Sequence, residues 1–84
     1  MRVIFHTRFK KRSRILKMGE RARLDERITL FIKNPHDIIL NNHSLAGEYA
    51  GYRSINISGD LRAVYELVAE DIAFFIYLGT HTEL

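Results

Sequence analysis

The chain has 84 residues, of which 46% are hydrophobic and 27% are charged, which is enough for one modest core and too little for two. It contains no cysteine, so disulfides and thiolate metal sites are excluded. No apolar run approaches the roughly 20 residues that span a bilayer, and the N-terminus lacks the order of a signal peptide. We therefore expect one globular domain, residues 1–84, in the cytoplasm and not in a membrane.

Positive charge is concentrated in the first part of the chain. Residues 1–34 hold eleven Lys and Arg against three acids, a net charge of +8. Residues 35–84 hold two Arg against seven acids, a net charge of −5. A basic half of this kind attracts polyanions or an acidic protein partner, and it is equally compatible with a solvated helical surface.

The first part of the chain predicts a short strand followed by two helices. The apolar stretch from Arg2 to Phe5 is typical of a strand. Thr7 is placed to cap a first helix that we expect to end near Gly19. A second helix fits residues 20–34, because four apolar side chains recur on one helical face: Leu24, Ile28, Phe31 and Ile32. Pro35 ends this helix, since the residue before proline is pushed out of the α region.

The rest of the chain predicts a three-stranded antiparallel meander. The stretches 52–57, 61–68 and 72–78 are rich in β-branched and aromatic residues, and short polar turns separate them. Residues 35–48 form the only long connection. The order β-α-α-β-β-β predicts an α+β fold with a helical hairpin packed on one face of an antiparallel sheet. The other face stays open to solvent or ligand.

A two-residue turn at Glu70 and Asp71 fixes the register of the last hairpin. The helix-covered face then pairs Ala69 with Ile72, Leu67 with Phe74, Tyr65 with Ile76 and Ala63 with Leu78. The open face pairs Glu66 with Phe75, Val64 with Tyr77, Arg62 with Gly79 and, one step further, Asp60 with His81. In the preceding hairpin, a three-residue loop at 58–60 pairs Ile57 with Leu61 and Ile55 with Ala63, and it sets Asn56 across from Arg62.

This register brings four polar side chains together at one end of the open face: Asn56, Asp60, Arg62 and His81. Each has an ordinary explanation by itself, as a turn, surface or packing residue. Their convergence favours a functional site. A metal site is less favoured, because the spacing of His43, Asp60 and His81 follows no known ligand pattern.

The second half also carries several motifs at fixed spacing. They read H-x-L-x-G-x-[aromatic]-x-G-x-R, then D-x-x-x-x-Y, then G-T-H-x-x-L, and here they are His43, Leu45, Gly47, Tyr49, Gly51, Arg53, Asp60, Tyr65, Gly79, Thr80, His81 and Leu84. Residues 43–84 thereby closely resemble the YafQ-like branch of the RelE/ParE toxin superfamily. The first half agrees with that family only in its helical-hairpin layout.

The resemblance implies a RelE-like fold and the toxin of a type II toxin–antitoxin system. Such toxins are ribosome-dependent endoribonucleases that cleave mRNA without a metal or other cofactor. The ribose 2′-OH attacks the adjacent phosphate and leaves a 2′,3′-cyclic phosphate and a 5′-OH. The family's functional residues fall on His43, Asp60 and His81, and Arg62 matches the arginine that steadies the phosphate in the RelE branch. The resemblance suggests His81 as general acid and His43 or Asp60 as base or orienting group.

The resemblance also implies macromolecular partners. Basic side chains of the first helix are expected to contact ribosomal RNA through its phosphates, namely Lys10, Lys11, Arg12, Arg14 and Lys17. Arg53 and Asn56 are further candidate contacts to the mRNA. Because of the net charge of +8 in residues 1–34, a small acidic antitoxin encoded beside this chain is expected to wrap the protein with an extended or helical segment.

Two positions depart from the family pattern. Asn56 stands where the family usually has a histidine, and an amide cannot transfer a proton near neutral pH. The family also continues into an aromatic residue beyond Leu84, so we expect either a longer natural chain or weaker stacking on the substrate. Two alternatives stay open: a ParE-like inhibitor of DNA gyrase without chemistry, and a degenerate protein that only binds an antitoxin.

Overall fold

The computed structural model of the chain, which describes residues 1–81, has two helices and a five-stranded sheet. The elements are β1 (Arg2–Phe5), α1 (Thr7–Arg14), α2 (Met18–Lys33), β2 (His43–Ser44), β3 (Arg53–Ser58), β4 (Leu61–Ala69) and β5 (Ile72–Thr80), with short 3-10 turns at Ile38–Leu40 and Gly47–Tyr49. The α+β fold is thus confirmed, with β2 as an additional strand inside the predicted long connection. Leu84, the last position of the resemblance, lies outside the described residues. None of the helices in residues 1–81 is long and apolar enough to cross a membrane.

The sheet is mixed rather than antiparallel. Its strand order is β1-β5-β4-β3-β2, and β1 runs parallel to β5 while the other neighbours are antiparallel. The expectation of an antiparallel sheet is therefore wrong for β1. The helices and three strands separate β1 from β5 in sequence, so no tight turn constrains their relative direction.

Both helices differ from the prediction at their ends. Thr7 is the first residue of α1 rather than its cap, and the imidazole of His6 accepts a hydrogen bond from the Arg8 N–H instead, at 3.0 Å. Helix α1 ends at Arg14, so Gly19 does not stop it but lies in the first turn of α2. The end of α2 at Lys33, two residues before Pro35, confirms the predicted stop.

Aromatic rings fill the core between the helices and the sheet. Phe31 of α2 stands edge-on to Tyr65 and to Phe75, with ring centroids 4.9 and 5.2 Å apart. Phe9 of α1 reaches Phe75 from the other side, at 5.6 Å. Burying each of these side chains contributes roughly 1.5–3 kcal/mol, so this cluster holds the helical hairpin on the sheet.

The predicted inner face of α2 is only partly correct. Leu24 and Phe31 are buried, and Ile28 packs against the core from its edge. Ile32 is 40% exposed, and Leu30 takes its place against the core. A four-residue spacing places Ile32 on the same stripe as Leu24 and Ile28, but α2 rests on the sheet through the side of the helix that carries Leu30 and Phe31.

The register of β4 with β5 is as predicted where the start of β4 pairs with the end of β5. It is wrong further along the two strands. Arg62 pairs with Gly79, Ala63 with Leu78 and Val64 with Tyr77, as expected. Beyond this, Tyr65 pairs with Phe75, Glu66 with Phe74 and Leu67 with Ala73, and the register returns at Ala69 and Ile72. Ile76 and Val68 are thus left as bulge residues. The bulge at Ile76 puts Phe75 in the core and Phe74 on the open face, the reverse of the prediction.

The turn between β3 and β4 also contains a bulge. Ile55 pairs with Ala63 and Asn56 with Arg62, as predicted, but Leu61 pairs with Ser58 instead of Ile57. The loop therefore has two residues, Gly59 and Asp60, and Ile57 is the extra residue in β3. Ile57 and Leu61 are both still buried in the core.

Candidate functional site

Two rows of cross-strand neighbours build the floor of the site on the open face of the sheet. The first row runs from β2 to β5 and consists of His43, Ser54, Val64 and Tyr77. The second row consists of Asn56, Arg62 and Gly79. Opposite residues in an antiparallel pair share a face, so these side chains all project away from the helices.

The segment between α2 and β3 folds over this floor and encloses a cleft of about 290 Å³. The cleft is lined by Asn41, His43, Leu45, Ala46, Tyr49, Ser54, Arg62 and His81. Gly47 and Gly51 have φ values of 67° and 97°, which favour glycine, and they let the segment turn back towards β3. The open face is therefore a walled cleft at this end rather than a bare surface.

His43 enters the cleft from β2 with a defined tautomer. Its Nδ1 lies 2.8 Å from the main-chain oxygen of Asn41. A carbonyl oxygen only accepts hydrogen bonds, so Nδ1 carries the proton and Nε2 of the neutral ring keeps its lone pair. An imidazole that is oriented through one nitrogen and has the other free to accept a proton is able to act as a general base.

His81 enters the cleft from the other side, just after β5. Its backbone N–H donates to the main-chain oxygen of Asp60 at 3.0 Å, which continues the β4–β5 ladder by one step as predicted. The carboxylate of Asp60 is exposed in the two-residue turn and does not line the cleft. The structure thus brings His43, Arg62 and His81 together, and it connects Asp60 to His81 through the backbone.

Arg62 and Asn56 are neighbours across strands β3 and β4. The Arg62 guanidinium is turned towards the hairpin turn, and its Nη1 donates to the main-chain oxygens of Gly59 at 2.8 Å and Leu61 at 3.3 Å. The Asn56 Oδ1 is buried without a hydrogen-bond partner among the described residues. Asn56 does not line the cleft, although it stands directly beside a residue that does.

The side chain of Tyr77 explains why residue 79 is a glycine. A Cβ on Gly79 would lie 2.5 Å from the hydroxyl oxygen of Tyr77 and 2.8 Å from the ring carbon that bears it. The ring of Tyr77 therefore lies along β5 over Gly79 and carries its hydroxyl towards the row of Arg62. The structure also shows that Gly79 lies inside β5 rather than beyond its end.

Arg53 belongs to a different hydrogen-bond network. Its Nε donates to the side-chain oxygen of Asn42 at 2.9 Å. The Asn42 amide in turn donates to the Tyr65 hydroxyl at 2.7 Å and to the main-chain oxygen of Pro35 at 2.8 Å. This network ties the segment after α2 to β3 and β4, and Arg53 does not line the cleft.

The basic side chains that are predicted to contact ribosomal RNA lie in the helical layer of the molecule. Lys10, Lys11 and Arg14 of α1 are exposed, as is Lys17 in the turn after it, while Arg12 is half-buried. A groove of about 430 Å³ runs between α1 and α2. It is lined by Phe5, Phe9, Lys10, Ser13, Arg21, Leu24, Asp25, Ile28 and Thr29, an apolar floor between polar and charged rims.

Five cleft residues lie outside the predicted set: Asn41, Leu45, Ala46, Tyr49 and Ser54. Leu45 and Tyr49 are motif positions, so their spacing from His43 already marks them. Ser54 alternates with Asn56 along β3, which places both on the open face. Nothing in the sequence indicates Asn41, because it acts through its main-chain oxygen and a left-handed backbone with φ of 46°.

Solved structures share this fold over nearly the whole chain. A copper-bound mutant toxin from Helicobacter pylori is 29% identical, with a TM-score of 0.76 and coverage of 100% of this chain and 98% of that one. The E. coli DinJ-YafQ complex matches at 25% identity, a TM-score of 0.71 and coverage of 100% and 98%. The Staphylococcus aureus YoeB-YefM complex matches in fold, at 16% identity, a TM-score of 0.76 and coverage of 96% and 97%. No curated protein matches the sequence significantly.

The fold is therefore that of the YafQ and YoeB/ParE-type toxins of the RelE superfamily. Residues 1–84 match the family described as "Bacterial toxin of type II toxin-antitoxin system, YafQ". The chain belongs to this family, which confirms the resemblance drawn from the second half and extends it to the first.

Proposed function

We propose that the chain is an endoribonuclease that cleaves mRNA on the ribosome. In this reaction the ribose 2′-oxygen bonds to phosphorus as the bond from phosphorus to the 5′-oxygen breaks. A base takes the proton of the 2′-OH, an acid supplies a proton to the departing 5′-oxygen, and positive charge stabilises the phosphorane. The observation that carries the proposal is that one cleft holds two imidazoles and a guanidinium, from His43, His81 and Arg62.

The surroundings of the candidate site residues favour a role for each of them. His43 is the base, because its Nδ1–H is held by Asn41 and Nε2 is left to accept a proton. His81 is the acid on the opposite side of the cleft, and Arg62 contacts the phosphate. Asp60 is an orienting residue that fixes the backbone of His81, since its carboxylate lies outside the cleft. Tyr49, 37% exposed on the cleft wall, offers a ring on which an unpaired base can stack.

Single-turnover cleavage of a defined mRNA, with and without ribosomes, tests the proposal. We expect cleavage only with ribosomes, and 2′,3′-cyclic phosphate on the 5′ fragment. A chain with both His43 and His81 replaced by alanine controls for contaminating nucleases. Intact mRNA under all conditions would favour the non-catalytic alternatives, and inhibition of DNA gyrase supercoiling then separates the ParE-like function from simple antitoxin binding.

The partner that we propose for the groove between α1 and α2 is an amphipathic, acidic segment of the cognate antitoxin. The E. coli and S. aureus relatives are complexes with DinJ and YefM, which supports an antitoxin partner. The groove offers an apolar floor for such a segment, with Lys10 and Arg21 on its rims for carboxylates. The net charge of +8 in residues 1–34 adds long-range attraction.

Two adjacent lysines provide a matched test of this docking site. Lys10 lines the groove, whereas Lys11 is also exposed on α1 but does not line it. We expect Lys10→Glu to weaken binding of the antitoxin encoded beside this chain by about 10-fold or more, and Lys11→Glu to weaken it only about 2-fold, through its long-range charge. If isothermal titration calorimetry shows that the two substitutions weaken antitoxin binding equally, the antitoxin binds outside the groove.

A further inference from the structure

Asn56 carries an acceptor for which the described residues provide no donor. Its Oδ1 is buried and unpaired among them. Nearly all buried polar atoms in proteins have a hydrogen-bond partner, so an unpaired one calls for a reason, and it lowers the stability of the state in which it is found. Asn56 lies on the open face beside the cleft and not in the aromatic core.

The guanidinium of Arg62 is a donor on the neighbouring strand that is placed to reach this oxygen. Arg62 is the direct cross-strand neighbour of Asn56, and such pairs lie with Cβ atoms about 4.5–5.5 Å apart. A guanidinium has five N–H donors. The hydrogen bonds to the main-chain oxygens of Gly59 and Leu61 both use Nη1 as the donor. They therefore do not use the N–H groups of Nε and Nη2.

We infer that Arg62 has two positions and that Asn56 is the positioning residue for the second. In the free protein the guanidinium rests on the turn carbonyls. When a phosphate occupies the cleft, the guanidinium leaves the carbonyls and makes stronger, charge-assisted hydrogen bonds to the phosphate oxygens. One remaining N–H then donates to Asn56 Oδ1, which fixes the plane of the guanidinium. The inference rests on the proposed phosphate-binding role of Arg62.

Two substitutions separate this role from a structural one. Asn56→Leu removes the acceptor at similar volume, and Asn56→Asp keeps an oxygen in the same place. Because the leucine removes a buried unpaired oxygen, we expect Asn56→Leu to raise the melting temperature by roughly 4 °C. We expect the same variant to bind phosphate about 10-fold more weakly, the scale of one hydrogen bond to a charged group. Asn56→Asp should retain phosphate binding.

The decisive measurement is the ¹⁵N NMR signal of the Arg62 Nε–H during a titration with inorganic phosphate. We expect a shift that saturates in the wild-type chain and in Asn56→Asp, and a much smaller one in Asn56→Leu. Glu66→Gln, a change of a half-buried residue on the same face of β4, is the control and should behave as wild type. Arg62 signals that respond identically in wild type and Asn56→Leu overturn the inference, whatever the melting temperatures.

The titration also separates this inference from the proposed function. Phosphate binding is measured without ribosomes or cleavage, so a wild-type chain that binds phosphate and cuts no mRNA overturns the nuclease and not the role of Asn56. If the Arg62 Nε–H signal of the wild-type chain does not shift when phosphate is added, the inference itself is overturned. In an active enzyme, Asn56→Leu should slow single-turnover cleavage by about 10-fold, and it should add nothing to the loss caused by Arg62→Ala.

Discussion

Main-chain atoms hold both histidines of the cleft. His43 is held through its ring by the Asn41 carbonyl, and His81 through its own N–H by the Asp60 carbonyl. Neither hydrogen bond uses a carboxylate side chain. At the scale of single residues this explains why motif spacing identifies the two histidines and Asp60, whereas the sequence does not indicate Asn41, which acts through its main-chain oxygen.

If His81 is the general acid, His81→Ala should reduce single-turnover cleavage of ribosome-bound mRNA by about 100-fold or more. Ribosome affinity should stay nearly unchanged, because a single imidazole adds little to a polyelectrolyte interface. His36→Ala is a matched control, since His36 is exposed and outside the cleft. Cleavage at the wild-type rate by His81→Ala would leave the histidine without a catalytic role.

Gly79 permits a second prediction at this scale. Gly79→Ala places a Cβ against the Tyr77 ring, which has to leave its position over β5, and we expect a loss of about 1–3 kcal/mol in the free energy of unfolding. Gly19→Ala is the control, because a Cβ there meets nothing within 4 Å. Alanine in the first turn of α2 should be neutral or stabilising by up to about 1 kcal/mol. Urea unfolding of both variants measures the difference, and equal stabilities would contradict the packing of Tyr77 on Gly79.

At the scale of elements, the order of the helices and of every strand except β2 follows from the sequence, and the bulges do not. The stretch "IAFFIYL" is apolar on both faces, so alternation cannot reveal which residue is extra. The bulge at Ile76 lies between Phe75 and Tyr77, before the part of β5 that reaches the site. Residues 77–80 therefore keep the predicted register, and the site can be located from the sequence although the same prediction places Phe74 and Phe75 on the wrong faces.

Helix α1 is the element with a testable role in ribosome binding. Replacing Lys10, Lys11 and Arg14 by glutamine should weaken ribosome binding and reduce its dependence on salt, because the slope falls by about one for each phosphate that is no longer neutralised. A control with the same change in net charge replaces exposed cations outside α1, namely Arg2, Arg23 and Lys33. Equal losses in filter-binding assays across a salt series would mean that α1 has no special contact.

At the scale of the whole molecule, the two concave surfaces lie on opposite faces of the sheet. The cleft with His43, Arg62 and His81 is on the open face, and the groove between α1 and α2 is in the helical layer. Charge is divided along the chain as well, with +8 in residues 1–34 and −5 in residues 35–84. The parts proposed for ribosome binding and for chemistry are therefore separate, and an inhibitor can act on one without covering the other.

This separation predicts how an antitoxin in the groove acts. It masks Lys10 and the neighbouring cations of α1, so the toxin–antitoxin complex should bind ribosomes at least about 10-fold more weakly than the free toxin. The cleft on the opposite face should stay accessible in the same complex. Phosphate added to the complex should therefore shift the Arg62 Nε–H signal as it does in the free toxin, with a similar dissociation constant.

The measurement compares phosphate titrations of the free chain and of the antitoxin complex at the same salt concentration. Phosphate binding that disappears in the complex would mean that the antitoxin covers the cleft itself, contrary to docking in the groove alone. Lys10→Glu separates the two arrangements further: it weakens the complex more than Lys11→Glu does only if the antitoxin occupies the groove, and it leaves the cleft on the other face untouched.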